Sequence, residues 1–239
     1  MPTIVYKEEG NLQSGAVFGV KKPFRWTSFD VVNKIKWCLK KSYGKIKVGH
    51  AGTLDPLATG VVVICVGRAT KEIDRYMGEE KEYVAEVTFG KTTPSYDLET
   101  DFNGTYDYSH VDESVLRRVL PQFVGTIEQV PPAYSAVRVD GARAYEKARA
   151  GGEVEMKSRR VTVRDIEVME TNFPMVKLRI NCGKGTYIRS LANDIGKACG
   201  SGAYLSALER TRVGEFEVGD CFQVEEIVGV LQQMNRIND

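Results

Sequence analysis

From Val61 to Val66 the chain reads Val, Val, Val, Ile, Cys, Val without interruption and is closed by Gly67. An apolar run of that length is the pattern of a strand buried on both faces. The loop leading into it is therefore anchored to the core. In that loop Gly49, Gly52 and Gly60 relieve steric limits on the backbone and Pro56 stiffens it. Asp55 stands near its centre. A lone acid between glycines on a core-anchored loop is a candidate nucleophile or acid/base, because the scaffold holds it while its head stays reachable. Asp-Pro also starts ordinary turns, so the local residues leave a structural role open beside the catalytic one.

With 239 residues, 42% of them hydrophobic, the chain buries a substantial core. Absence of a repeat or a low-complexity linker favours a single domain over 1–239. No apolar run approaches the roughly 18 to 20 residues of a spanning helix, and the polar N-terminus MPTIVYKEEGN does not read as a secretory signal. Cys38, Cys65, Cys182, Cys199 and Cys221 are odd in number and form no CxxC pair, which fits buried thiols in a reducing cytoplasm. His50 and His110 are the two histidines and lie far apart, so a metal site has little to be built from. CGKGT resembles a phosphate loop, but Leu178 and Gly185 occupy places where that motif needs glycine and a hydroxyl residue.

Net charge is +1 but unevenly spread. Residues 1–50 carry ten Lys/Arg against three Asp/Glu, residues 72–120 five against twelve, and residues 134–190 twelve against seven. If the two basic regions meet they form a surface for a polyanion; alternatively the opposite charges pair with each other.

Taken in order, 15–20 reads as a strand, and Thr27 or Ser28 caps a helix from Phe29 to Lys40 with a basic outer face. A short helix is expected from Ala69 to Met77. Alternation from Glu82 to Gly90 places Tyr83, Ala85, Val87 and Phe89 on one face of a strand. The stretch 91–110 reads as an exposed excursion. Asp112 caps a helix to Leu120, strands are expected at 126–130 and 135–139, and Asp140-Gly141 turns the chain into a helix over 142–150. Strands follow at 160–168 and 175–182, a helix at 190–199, another at 203–208, a last strand at 212–218 and a terminal helix at 224–234. This mixture without regular βαβ alternation points to α+β with a large, mainly antiparallel sheet.

Six ordered blocks resemble one family, the TruB-type pseudouridine synthases, which isomerise the T-loop uridine at tRNA position 55. They are KPFRWTSFDVV, GHAGTLDPLATGVVVICVG, KEYVAEVTFG, QVPPAYSAVRVDGARAYEKARAG, CGKGTYIRSLANDIG and ALERTRVGEF, together running from about Lys22 to Phe216. The resemblance implies the pseudouridine synthase fold, catalysis without metal or cofactor, and the T arm of tRNA as partner. It implies that Asp55 is the indispensable carboxylate, that Arg189 pairs with it, and that Tyr83 stacks on the uracil and is a candidate to take the C5 proton. His50 is implied to fill the space left by the flipped base, Leu208 to wall the pocket, Lys71 to be structural or phosphate-facing, and Tyr134 and Tyr187 to support the site. Without the resemblance, His50 reads as a hydrogen-bonded loop histidine, Tyr83 as a sheet-face aromatic, Arg189 as a salt bridge and Leu208 as core. Lysines of the first helix, with Arg143, Arg149, Arg159 and Arg160, are candidates for phosphate contacts.

Two departures stand out. Phe24-Arg25-Trp26 replaces the glycine-bearing KPxGxTS pattern, which predicts a changed loop conformation or an extra RNA contact. Tyr204 stands where many relatives have histidine, a change expected to be neutral. The chain is also expected to lack the C-terminal RNA-binding domain of many relatives, to act as a monomer, and to lie outside the guide-RNA-dependent branch. The competing classes are a noncatalytic RNA-binding protein on the same scaffold and a metal-dependent hydrolase.

Overall fold

The computed structural model describes all residues except 9, 140, 153, 238 and 239, and the side chains of 41, 42 and 235–237 also stand outside the description. In chain order the elements are β1 (Val5–Tyr6), β2 (Ala16–Lys22), α1 (Ser28–Tyr43), β3 (Val48–His50), β4 (Thr59–Val66), α2 (Ile73–Gly78), β5 (Lys81–Phe89), β6 (Lys91–Thr92) and β7 (Gly104–Thr105). They continue with α3 (Glu113–Val119), β8 (Gly125–Gln129), β9 (Arg138–Val139), β10 (Ala142–Arg143), α4 (Ala144–Arg149), β11 (Arg159–Asn172), β12 (Met175–Cys182), α5 (Ile188–Ala198), β13 (Ala203–Val213), β14 (Phe216–Glu217), β15 (Phe222–Gln223) and α6 (Val224–Ile237).

The chain packs as two compact units, one made of Met1–Glu82 with Glu209–Asp239, the other of Tyr83–Leu208. In the first, the strand order is β1-β2-β4-β13. β2 and β4 pair antiparallel from Ala16 against Val66 to Lys22 against Gly60, and β13 meets β4 in parallel at Glu209–Thr59 and Arg210–Gly60. Val61 to Val66 is buried throughout, as a doubly covered strand requires. Val61, Val63 and Cys65 pack with Val17, Ala51, Ala69, Tyr76 and Val213. Helix α1 begins where expected: Thr27 and Asp30 form a reciprocal capping box, which satisfies two backbone donors that a helix start leaves open.

In the second unit the order is β13-β5-β12-β11-β8. β5 alternates, with Tyr83, Ala85, Val87 and Phe89 buried. Val176, Leu178 and Ile180 of β12 are likewise buried. Its outer face is neutralised by acids: Lys177 lies 3.5 Å from both Glu86 and Glu170, and Arg179 pairs with Glu167. Here the pairing of opposite charges wins over an open basic face.

Three expectations need correction. The helix expected at 203–208 is instead the first half of the long strand β13, and the strand expected at 212–218 is divided between the end of β13 and the short β14, because pairing in the sheet outweighs the helix preference of Ala and Leu. The strand expected at 135–139 shrinks to Arg138–Val139. The stretch 91–110 is only partly exposed: Thr93, Ser95 and Asp97 are buried. The turn expected at Asp140 lies outside the described residues. No described helix is long and apolar enough to cross a membrane, and all five cysteines are buried thiols outside any disulfide.

Candidate active site

Asp55 sits half-buried in the loop between β3 and β4, and its neighbours are tied down on both sides. The Leu54 N–H donates to Ser28 Oγ at 2.8 Å, and the same hydroxyl donates back to the Leu54 carbonyl at 3.2 Å. Leu54 itself is 3% exposed, an apolar peg. On the other side the Pro56 carbonyl accepts from the Arg25 N–H at 2.8 Å and from Lys22 Nζ at 3.3 Å. Ala58 N–H closes the turn onto the Asp55 carbonyl at 3.1 Å. Arg25 has φ 65, so the backbone here is left-handed, the conformation glycine adopts most easily, although arginine occupies the position.

Two buried cations underlie the loop. Arg210, 1% exposed, donates to the Val61 carbonyl at 2.7 Å, to Gly52 at 3.1 Å and to Thr53 at 3.3 Å. One planar guanidinium thus spans both arms of the loop. It reaches them because Gly60 lies so close to the Arg210 backbone that a Cβ would come within 2.2 Å of the Arg210 carbonyl oxygen. Lys22 is fully buried and donates to the Trp26, Pro23 and Pro56 carbonyls at 2.6, 2.9 and 3.3 Å. Burial pushes its ammonium down to about 8, opposed by the charge of Asp55, reinforced by Arg210 and opposed again by Asp30.

An unfolded lysine keeps its proton to about 10.5, so between pH 8 and 10.5 the unfolded chain binds more protons and stability rises with pH. Below pH 8 the folded state carries the whole cost of charging Lys22, about 3 kcal/mol at about 1.4 kcal/mol per pH decade. Urea unfolding of wild type and Lys22→Met across this window should show their stability difference moving in favour of wild type as pH rises, by up to about that amount. A difference that stays flat would mean that Lys22 ionises like an exposed lysine.

His50 ends β3, half-buried. Desolvation first, then the Arg210 charge, lowers its pKa, so the imidazole is neutral at pH 7. A backbone hydrogen bond with Gly52 opposes that shift, in keeping with the hydrogen-bonded loop reading, while its Nδ1 has no hydrogen-bond partner among the described residues. Lys71 is exposed at the end of a 3-10 turn following β4.

In the second unit Arg189 stands in the first turn of α5, 3% exposed. It donates to the Ser95 carbonyl at 3.1 Å and the Tyr134 carbonyl at 2.9 Å, and its Nε lies 3.6 Å from Asp97 Oδ2. Within its own unit Arg189 thus forms a buried ion pair with Asp97. Asp97 is presented by a turn in which Thr93 Oγ1 and Ser95 Oγ both donate to its carbonyl, at 2.6 and 3.2 Å, and its backbone bridges to Leu205. Tyr187 is clamped by Gln129, which accepts from its N–H at 2.8 Å and donates to its carbonyl at 3.0 Å, while the Arg159 guanidinium lies over its ring at 4.6 Å. Tyr83 on β5 and Leu208 on β13 are 8% and 9% exposed.

Sequence reasoning gave no role to Lys22, Asp97 and Arg210, and offered Ser28 only as a helix cap. Lys22 and Arg210 look like surface cations in a linear reading, and Asp97 was hidden in a polar stretch. The spacing of Thr93 and Ser95 before Asp97, hydroxyls able to bond a nearby carbonyl, was the available signal for an ordered turn. Among the described residues no three of His, Cys, Asp and Glu gather to hold a metal.

The mainly antiparallel α+β sheet with its flanking helices is the fold of the pseudouridine synthases. A Cbf5–Nop10–Gar1 complex shares the fold, with TM-score 0.70 and 30% identity over 94% of this chain and 60% of that one; the chain thus spans less than two thirds of that protein. The chain belongs to the TruB family: the model of the TruB family pseudouridylate synthase N-terminal domain matches residues 40–188, and that of the tRNA pseudouridylate synthase B C-terminal domain matches residues 189–237. The tRNA pseudouridine synthase B of Parabacteroides distasonis is 52% identical over 92% of this chain and 94% of its own length, and that of Phocaeicola vulgatus is 50% identical over 93% and 96%.

Proposed function

We propose that this chain is a cytoplasmic, monomeric tRNA pseudouridine synthase that isomerises the T-loop uridine at tRNA position 55, without guide RNA, metal or cofactor. The observation that carries this reading is the Asp55 loop, whose backbone is bonded on both sides and underlain by Lys22 and Arg210. Such a loop suits a carboxylate that must stay ionised and still while a base is rearranged in front of it. Half of the residues are shared with relatives named tRNA pseudouridine synthase B across nearly their whole length, against 30% for the Cbf5 complex. That difference favours tRNA acting without a guide.

The reaction balances within the substrate. The N1–C1′ bond breaks, the uracil turns over, C5 bonds to C1′, the C5 proton leaves, and N1 ends protonated. The target base must first leave its stack, as base-modifying enzymes generally require. In this reading Asp55 attacks C1′ or C6, Tyr83 stacks on the uracil and takes the C5 proton, and Leu208 walls the pocket. Arg189, oriented by Asp97, holds the site's charge. The neutral His50 fills the space the base vacates, Lys71 meets phosphate and Tyr187 supports the pocket floor.

Incubating the purified protein alone with an unmodified tRNA transcript, chelator present, should yield pseudouridine at position 55. An unmodified or hydrolysed RNA would overturn the assignment. Tyr83→Leu should fold and bind RNA yet slow tritium release from 5-labelled uridine by about 10²- to 10³-fold; full activity would remove this tyrosine from the chemistry.

A further inference from the structure

Both tryptophans of the chain lie on one stretch, at positions 26 and 37. They line an open groove of about 500 Å³ together with Arg25, Asp30, Asn33 and Lys34. Trp37 is 65% exposed and Phe29, two turns earlier on the same helix, is 62% exposed. Large aromatics standing in water on a helix face at this spacing contribute nothing to the core and mark an interaction surface.

We infer that this groove, resting on the reading above, is a second contact for the substrate tRNA that takes an unpaired nucleotide by stacking on Trp37 and Trp26, with the adjoining phosphate on Arg25 and Lys34. Three observations favour RNA over a protein partner. The groove can present positive charge: Asp30 is spent on the helix cap, accepting from Thr27 N–H at 2.8 Å and Thr27 Oγ1 at 2.7 Å, Lys34 is held by Glu225 at 3.1 Å in an exposed pair weak enough for a phosphate to displace, and α1 exposes Lys36 and Lys40. Arg25 holds a left-handed backbone, φ 65, that disfavours side chains, and the side chain so placed is a guanidinium beside indoles and 5.6 Å from the Phe24 ring. The rim is also continuous with the Asp55 loop, since the Arg25 N–H bonds the Pro56 carbonyl at 2.8 Å. An RNA strand at Asp55 therefore has basic, aromatic surface immediately beside it. Indole and guanidinium planes accept any base, so the contact supplies affinity and not sequence reading.

The test uses the two indoles themselves. In Trp26→Phe protein the remaining tryptophan, Trp37, should be quenched on titration with unmodified tRNA, and the quench should weaken with salt. Trp37→Ala, an exposed change, should raise KM for tRNA about tenfold with kcat unchanged, and Trp37→Phe should recover most of the loss. An unchanged KM in Trp37→Ala, or Trp37 emission indifferent to tRNA, would overturn the inference and assign the stripe to a protein partner instead. Were the wild type to make no pseudouridine, the function reading would fall alone, because the emission titration needs no turnover.

Discussion

Asp55→Asn should leave a folded protein that binds a T-arm stem-loop like wild type and forms no measurable pseudouridine, a loss on the order of 10⁴-fold or more, as removal of an attacking group produces. The change is nearly isosteric. Ser28, Lys22, Arg25 and Arg210 bond the backbone on either side of the residue and would hold the amide where the carboxylate stood, so lost activity cannot be blamed on a displaced loop. What disappears is the charge and the nucleophilic oxygen. Binding and turnover measured on the same preparation also separate the enzyme from a noncatalytic RNA-binding protein, which has no use for the acid. Undiminished turnover by the variant would refute the catalytic assignment.

Arg210→Met should be the most destabilising single change in the first unit outside its apolar core. Its three partners are the backbone carbonyls of Gly52, Thr53 and Val61, which cannot be replaced by apolar groups as a side-chain partner could. Leaving them without donors costs roughly 3–5 kcal/mol, or about 10 °C in Tm for a chain of this size. Scanning calorimetry reads the loss. Below the lowered Tm, kcat should fall as well, since both arms of the Asp55 loop lose their common anchor. Arg210→Lys should recover only part of either, because one ammonium cannot span three carbonyls set around a planar fork. Wild-type Tm and turnover in Arg210→Met would show that the guanidinium does not position the loop.

The strongest elements were legible without a structure because their physics is local. The β4 run, the alternation of β5, the Thr27 cap of α1 and the limits of β12 each depend on residues a few places apart, and each is found as expected. Element type failed where neighbours in the sheet overrule propensity. AYLSAL carries good helix formers, yet it opens β13, a strand inside the large sheet, and no local pattern records that. The polar stretch 91–110 failed in a similar way. Its hydroxyls and acid read as solvated until Arg189, almost a hundred residues later, gives Asp97 and the Ser95 carbonyl a buried partner.

What the sequence by itself determined is the family, through six ordered blocks, and with it the identity of Asp55 and the residues expected around it. What only the tertiary structure decided is which charges meet. Lys22 and Arg210 give no sign in the chain that they are buried under the Asp55 loop, and Arg189 gives no sign that Asp97 is its neighbour. Propensity and capping act along a few residues, whereas desolvation and Coulomb attraction act through space, between groups whose separation is set only once the sheet has closed.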